Sequence, residues 1–145
     1  MSISRRFHQE YDLLPDDYAY GWTDLNLIRH AELINNLSSI MLTHLDVLNE
    51  VEKIKVATKY TINSAQEEVF DRNLPANIDV WERMEPQYTE VPGWNQNLHD
   101  IDDDFDKMPT EAKNFIRVLE TISKKNIEYL SVNDSKDTGI IRIRR

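Results

Sequence analysis

The stretch from Gly21 to Tyr60 reads GWTDLNLIRHAELINNLSSIMLTHLDVLNEVEKIKVATKY, and its patterns decide the fold. From about Thr23 or Asp24, as N-cap, to Asn35, apolar residues recur at helical spacing, which predicts a helix. Ile40-Met41-Leu42 is a short continuous apolar run, the pattern of a strand buried on both faces. A helix followed by a buried strand indicates an α/β domain.

The second half of this stretch adds a polar loop and another strand. Lysines alternate with apolar residues and threonine from Lys53 to Tyr60, which predicts a strand with one face towards solvent or a partner. Between the two strands lies Thr43-His44-Leu45-Asp46. Ligands of α/β proteins usually bind just beyond the carboxyl ends of strands, so this loop is the first candidate for a functional site.

The remaining elements complete a mixed α/β domain over residues 21–145, preceded by an irregular arm at residues 1–20. Asn63-Ser64 predicts a turn before a returning strand at 67–70. Residues 71–108 contain several prolines and have the least regular pattern. A helix is predicted from about Pro109 to Lys125, with an apolar stripe. Two further strands, 127–132 and 139–143, flank a polar loop at 133–136.

The composition limits the functional classes that the chain can belong to. The 145 residues have a net charge of −9, which disfavours binding to nucleic acid or to an anionic membrane. There is no cysteine, so thiolate catalysis and disulfides are excluded. No signal-like segment or long apolar run is present, and we expect a cytoplasmic protein. Neither GxGxxG nor GxxxxGK[ST] occurs in the chain.

Several conspicuous residues have ordinary structural interpretations. The aspartates between Asp100 and Asp106 lack the central glycine and closing glutamate of an EF-hand, so a solvated acidic loop is expected. The four histidines (His8, His30, His44 and His99) show no metal-ligand spacing. Asp24 is expected to cap its helix. Trp81, Tyr88 and Trp94 are expected to pack in the core or in turns.

These segments, in this order, resemble the C-terminal third of the adenylosuccinate synthetase family. The resemblance implies a mixed sheet with helices, as in the C-terminal portion of that P-loop-NTPase-like fold. It also implies the family reaction, which joins IMP to aspartate with GTP and magnesium in purine nucleotide biosynthesis. It covers residues 21 to about 143 and is carried by Gly21-Trp22-x-Asp24, Leu42-Thr43-His44-Leu45-Asp46-Val47-Leu48, Lys53 to Tyr60, Glu85-Pro86-x-Tyr88, Pro92-Gly93-Trp94 and the segment 109–132.

The resemblance implies a guanine site at Thr43, His44, Asp46, Ser131 and Asn133. Asp46 matches the family aspartate that accepts hydrogen bonds from N1 and N2 of guanine, a charge-assisted contact that discriminates against adenine. His44 stands at the position of the family lysine that lies along the base. The family's Ser-x-Gly-Pro loop corresponds to Ser131-Val132-Asn133-Asp134, where Gly-Pro is absent.

Other departures from the family suggest that these residues alone do not catalyse the ligation. Asp16 and Asp17 stand where the family has an anion-binding arginine loop. The family's phosphate loop, magnesium ligands and acid/base residues have no counterpart, so no cofactor is assigned with certainty, GTP is a candidate, magnesium is not expected, and no catalytic residue is assigned. Three hypotheses remain open: a pseudoenzyme with residual guanine-nucleotide binding, a subunit of a split enzyme, or an interaction module for a synthetase or another protein. Exposed strand edges favour a homo-oligomer.

Overall fold

The computed structural model describes residues 20–62, 68–70, 74–101, 104–132 and 139–143, with backbone only for 68–70. Three predicted segments lie outside these residues. They are the turn at 63–64, the loop at 133–136 and the N-terminal arm except for its last residue. The strands are β1 (Thr23–Asp24), β2 (Ile40–Leu42), β3 (Lys53–Ile62), β4 (Glu68–Phe70), β5 (Met84–Pro92), β6 (Ile127–Ser131) and β7 (Ile140–Arg142). The helices are α1 (Leu25–Asn35), α2 (Ile78–Trp81) and α3 (Thr110–Ser123), and three 3-10 turns span Leu45–Leu48, Leu98–Ile101 and Phe105–Lys107.

Two mixed sheets form the framework, which confirms the predicted α/β class. In the first sheet, β3 pairs antiparallel with β5 along its whole length. Its other edge carries β1 in parallel and β4 in antiparallel orientation. In the second sheet, β6 lies between parallel β2 and antiparallel β7. A strand therefore occurs in each of the predicted ranges 40–42, 53–60, 67–70, 127–132 and 139–143, although residue 67 lies outside the described part of the chain.

Helix α1 begins where the sequence predicts, because Asp24 caps it. The Asp24 Oδ1 atom accepts hydrogen bonds from the backbone N–H groups of Asn26 (2.8 Å) and Leu27 (3.2 Å). Its Oδ2 atom accepts a hydrogen bond from the Tyr60 hydroxyl of β3. The helix ends at Asn36, whose φ of 50° is left-handed and whose N–H donates to the Glu32 carbonyl. Local sequence therefore determines both ends of this helix.

Asn26 connects α1 to an irregularity in β3. The pairing of β3 with β5 shifts register between Ala57 and Lys59, so Thr58 has no partner in the β3–β5 register. The buried Asn26 amide bonds to the β3 backbone at this point, because its nitrogen donates to the Thr58 carbonyl (2.8 Å) and its oxygen accepts from the Lys59 N–H (3.1 Å). These partners determine the orientation of the amide.

The predicted second helix is confirmed and supplies much of the core. In α3 the residues Ala112, Phe115, Ile116 and Leu119 are at most 2% exposed. They pack with buried residues of both sheets, so one hydrophobic core joins the two sheets. Complete burial of a side chain the size of Phe115 stabilises the fold by about 3 kcal/mol. None of the helices in the described ranges is long and apolar enough to cross a membrane.

The Pro92-Gly93-Trp94 turn requires glycine at its centre. A Cβ atom at Gly93 would lie 1.6 Å from the Val51 carbonyl oxygen, and the Gly93 N–H donates to the Glu52 carbonyl at 2.9 Å. Only glycine permits so close an approach of two backbones. The turn directs Trp94 into the core, where it is 2% exposed. The prediction that Trp94 packs inside is therefore confirmed.

The expectation of an irregular segment from 71 to 108 was wrong for β5. This strand pairs with β3 from Met84 opposite Ile62 to Pro92 opposite Lys53. Of its nine residues only Val91 is buried, so no alternation of apolar residues identified the strand. Prolines in its sequence also disfavoured a strand, yet they are tolerated because β5 is an edge strand.

Two burial predictions were also wrong. Met41 is 50% exposed, whereas Ile40 and Leu42 are half-buried. Successive side chains of a strand point to opposite faces, so the face of β2 that carries Met41 is open and the strand is not covered on both faces. Tyr88 is 45% exposed, and its ring faces the Lys55 Nζ atom at 5.9 Å instead of the core. In the acidic segment, Asp100, Asp104 and Asp106 are exposed as expected.

Candidate functional site

The predicted ligand loop lies where two parallel strands end together. Leu42 of β2 is opposite Leu130 of β6, so Thr43 and Ser131 follow at the same end of these two parallel strands. Thr43 is exposed, whereas Ser131 is buried, with 9% exposure. The 3-10 turn that follows Thr43 packs against β6. The structure therefore gathers these segments at the type of position where α/β proteins bind ligands.

A tight turn carries Asp46 into the interior. His44 has φ 55° and ψ 42°, a left-handed conformation that is uncommon outside glycine and redirects the chain after β2. Leu45 and Val47, which are 1% and 3% exposed, then anchor the turn in the core. Asp46 between them is only 4% exposed. The Asn49 N–H donates to the Asp46 carbonyl at 2.9 Å and closes the turn.

The Asp46 carboxylate contacts a histidine from a distant part of the sequence. The Nε2 atom of His99 lies 3.1 Å from Oδ2 of Asp46. The two side chains differ in environment, because that of Asp46 is 3% exposed and that of His99 is 48% exposed. With a protonated imidazole this contact is an ion pair. A deeply buried carboxylate thus has a partner that reaches solvent.

A small hydrogen-bond network holds His99 in this place. Asn49, just beyond the Asp46 turn, donates from Nδ2 to Oδ1 of Asn97 at 3.0 Å. The same Asn97 oxygen accepts a hydrogen bond from the His99 backbone N–H at 3.1 Å. Oδ1 of Asn49 accepts from Nε1 of Trp94 at 3.0 Å and from the Leu98 N–H at 3.4 Å. The network joins the 3-10 turn that carries Asp46 to the one that carries His99.

The predicted site residues are only partly brought together. Thr43, His44 and Asp46 are contiguous, and Ser131 ends the neighbouring strand, as the resemblance implies. Asn133 lies outside the described residues. His44 makes no side-chain cap to the turn that it begins, and the imidazole that contacts Asp46 belongs to His99. From the sequence, His99 was tested only for metal-ligand spacing. No local pattern relates it to Asp46, which is distant in the chain.

The arrangement suits a ligand that donates hydrogen bonds. An ionised carboxylate offers two oxygens and accepts paired N–H donors strongly where water is excluded. The exposed side of His99 provides the contact of this pair with solvent. Within the described parts of the chain, no group of three His, Asp or Glu side chains could hold a metal ion. The chemistry supported here is recognition of a donor-rich ligand edge.

Comparison with known proteins gives one consistent result. The family model described as adenylosuccinate synthetase matches residues 18–140. A protein of Geotalea uraniireducens named adenylosuccinate synthetase is 38% identical over 121 residues, which are 83% of this chain and 27% of the relative. The protein of the same name from Brachyspira hyodysenteriae is 35% identical over the same shares of the two chains.

A solved structure agrees with these sequence matches in fold. The structure of fully ligated adenylosuccinate synthetase from Plasmodium falciparum superposes with a TM-score of 0.88 at 24% identity. The superposition covers 98% of this chain and 33% of that one. The chain therefore spans about a quarter to a third of the length of the proteins that it matches.

Proposed function

Because this chain belongs to the adenylosuccinate synthetase family, we propose that the turn around Asp46 forms a guanine-recognition site of the synthetase type. The observation that carries the proposal is the burial of the Asp46 carboxylate at the common edge of β2 and β6. Guanine presents N1–H and N2–H side by side, which suits the two oxygens of one carboxylate. Adenine presents an acceptor at N1, which the carboxylate repels. The site thus favours GTP or GDP over ATP.

The other predicted residues support the base from around Asp46. Thr43 and His44 lie on the loop that enters the turn, and Ser131 lies at the end of the adjacent strand. Asn133 is assigned by the resemblance alone. His44 supplies an imidazole in place of the family lysine, which reduces the positive charge beside the base at neutral pH. We therefore expect moderate affinity.

Catalysis is not part of the proposal for these residues alone. The sequence contains no GxxxxGK[ST] motif to hold phosphates, and aspartates stand at the positions of the arginine loop. The family's reaction of IMP, aspartate and GTP is therefore proposed for an assembly that supplies those groups. These 145 residues act as a nucleotide-binding pseudoenzyme domain.

Calorimetric titration with GTP, GDP, ATP and IMP tests the proposal. Binding of GTP and GDP with a Kd of about 1 μM, equivalent to about −8 kcal/mol, is expected, with ATP at least about tenfold weaker. Asp46→Asn replaces one acceptor oxygen by a donor and should remove the preference for guanine. The matched control is Asp79→Asn, which makes the same change at an exposed position of α2.

The outcomes separate the functions clearly. An unchanged guanine preference in Asp46→Asn would place the base elsewhere on the chain. No heat with any of the four nucleotides would reject a nucleotide site and leave a structural or interaction role. Circular dichroism of each variant shows that the comparison is made between folded proteins.

A second candidate function, an interaction module, is favoured by exposed apolar side chains. Leu33 and Ile34 at the end of α1 are 55% and 67% exposed, and Met41 on the edge strand β2 is 50% exposed. Unpaired strand edges and exposed apolar surface promote association. The partner would be a second copy of the chain or a synthetase.

Light scattering tests this alternative. Association of the chain is expected, and the double variant Ile34→Glu/Met41→Glu should shift it towards monomer. Ile78→Glu is the matched control, since Ile78 is equally exposed, at 68%, but lies on α2 beside the first sheet. A monodisperse monomer of the unmodified chain would reject self-association. Retention of a purified synthetase by the immobilised chain, lost in the double variant, would then indicate the hetero-complex.

A further inference from the structure

We propose that His99 is an internal competitor for the Asp46 carboxylate, which a guanine base must displace in order to bind. This inference rests on the proposed function, because it concerns the regulation of the same site. It assigns to His99 a role in setting affinity, although the residue lies 53 positions from Asp46 in the sequence.

The competition follows from the atoms involved. His99 Nε2 lies 3.1 Å from Oδ2, one of the two carboxylate oxygens that a base with paired N–H donors would use. Asp46 is 4% exposed, so its carboxylate has little surface left for a second partner. A carboxylate oxygen can accept two hydrogen bonds, but the Asp46 side chain is only 3% exposed, so a base has too little open surface to reach this oxygen while the imidazole lies on it. Binding of guanine at Asp46 requires His99 to leave.

The surroundings of His99 allow the side chain to move while the backbone stays in place. Leu98 and Ile101 of the same 3-10 turn are both fully buried, and Asn97 accepts the His99 N–H. The His99 side chain, in contrast, is 48% exposed. Rotation about its two side-chain torsions would carry the imidazole into solvent without breaking any of these anchors. Such rotamer changes are fast for exposed side chains.

Other charged and titratable groups lie near this pair. Asp100 follows His99 on its turn but is exposed, and Glu50 at the far end of the Asp46 turn is also exposed. His44 precedes the Asp46 turn and is half-buried. The contact of His99 places an imidazole nitrogen 3.1 Å from the Asp46 carboxylate.

Titration of GTP and ATP into His99→Ala tests the competition. We expect GTP to bind about three- to tenfold more tightly than to the unmodified chain, because a half-exposed hydrogen bond to a carboxylate no longer has to be broken. The affinity for ATP should stay unchanged, because adenine does not use the Asp46 carboxylate. His30→Ala, which removes a histidine from α1, is the matched control and should not change either affinity.

A double variant isolates the contact itself. In the background of Asp46→Ala, which removes both carboxylate oxygens, adding His99→Ala should give no gain in GTP affinity, because the competitor has lost its target. A gain of the same size in both backgrounds would show that His99 acts through something other than Asp46 and would overturn the proposal.

A measurement on the unmodified chain covers the case in which His99→Ala does not fold. Nitrogen-15 NMR of the histidine rings should show the His99 Nε2 resonance move on addition of saturating GTP, as the imidazole exchanges Asp46 for water. A His99 resonance that stays in place while GTP is bound would overturn the proposal without any substitution.

The possible results distinguish the two proposals. GTP binding that His99→Ala leaves unchanged or weakens overturns the competition and leaves the guanine site intact. Absence of GTP binding in both the unmodified chain and folded His99→Ala overturns the guanine site and the competition with it. Binding that appears only in His99→Ala supports both.

Discussion

Asp24 lies at the end of β1 and Asp46 lies in the 3-10 turn after β2, and their carboxylates are held by different kinds of partner. Asp24 accepts two backbone N–H groups of its own helix and the hydroxyl of Tyr60, which is 9% exposed. Asp46 contacts the imidazole of His99, which is 48% exposed. The partners of Asp24 are parts of the folded framework, whereas that of Asp46 is a side chain at the surface.

This difference separates a carboxylate that serves structure from the one that carries the proposed recognition. Backbone donors cannot leave Asp24 without unwinding the first turn of α1. The imidazole can leave Asp46 by side-chain rotation alone. A carboxylate that binds a ligand must be able to exchange its partner, so Asp46 is suited to recognition and Asp24 is not.

Asp24→Ala should produce the largest effect and test the structural side of this comparison. The variant loses the cap of α1 and leaves the buried Tyr60 hydroxyl without its acceptor, and we expect a loss of about 2–3 kcal/mol in the free energy of unfolding. Urea denaturation measures it. Asn77→Ala removes the cap of the exposed helix α2 and should lower the free energy of unfolding by much less. Equal losses would show that the Tyr60 contact contributes nothing.

Asn49→Ala should have the next largest effect and couple stability to binding. The variant removes the acceptor of Trp94 Nε1 and the donor to Asn97, so we expect the free energy of unfolding to fall by about 1–2 kcal/mol. The GTP affinity should also change, since these bonds position the turn that carries His99. Denaturation and calorimetry check both. Asn35→Ala, where the amide bonds only to Ala31 of its own helix at the exposed end, should change neither. Unaltered GTP binding in Asn49→Ala would show that the hydrogen bonds of Asn49 do not influence the nucleotide site.

Tyr60→Phe should have a smaller effect, about 1 kcal/mol in unfolding free energy, because it removes one hydrogen bond but keeps the ring packed. The ring lies edge-on to Trp81, with 6.2 Å between centroids, and phenylalanine preserves that contact. Thermal and urea denaturation measure the loss. A loss as large as that of Asp24→Ala would mean that the hydroxyl, and not the cap, carries most of the stability at Asp24.

The pH dependence of the unmodified chain provides the control for this variant. Burial, and then the hydrogen bond to Asp24, raise the pKa of Tyr60 above its ordinary value of 10.0. The phenol therefore stays protonated in the folded chain when it already ionises in the unfolded chain. Stability is unaffected below about pH 10 and falls as pH rises above it. Tyr60→Phe should show a shallower decline in this range, and identical slopes would contradict the assignment.

Lys53→Ala should have the smallest effect on stability, because it removes an ion pair at the exposed surface. Lys53 Nζ lies 3.0 Å from Glu90, but the side chains are 70% and 49% exposed, so we expect less than about 0.5 kcal/mol. Lys125→Ala is the matched comparison, since Lys125 and Glu32 lie 3.1 Å apart with only 22% and 25% exposure. Urea denaturation should show the larger loss for Lys125. The reverse order would show that burial does not govern these pairs.

The features predicted correctly from the sequence depend on neighbours in the chain. The cap at Asp24 and the stop at Asn36 involve residues two to four positions away. The apolar stripe of α3 repeats at helical spacing, and the strand 53–60 alternates. The resemblance to the family likewise followed from short segments in order. The structure brings the segments that carry Thr43, His44, Asp46 and Ser131 to the ends of β2 and β6.

The features missed by the sequence depend on contacts between distant segments. The strand β5 has one buried residue and is recognisable only from its pairing with β3. Met41 looks like a core residue until the packing shows that its face of β2 is open, with 50% exposure. Local patterns report the periodicity of a segment but not which neighbours cover it, so strand order and edge position remained undetermined.

The sequence by itself determined that this chain is an α/β domain of the synthetase family, and that Asp46 is its candidate recognition residue. These conclusions needed only local periodicity and short motifs, because hydrogen bonding within helices and turns acts over a few residues. Only the tertiary structure decided that His99 holds the Asp46 carboxylate at 3.1 Å. That contact depends on Trp94, Leu98 and Ile101 packing in the core, and on Asn49 binding Asn97, which together bring two remote turns to the same place.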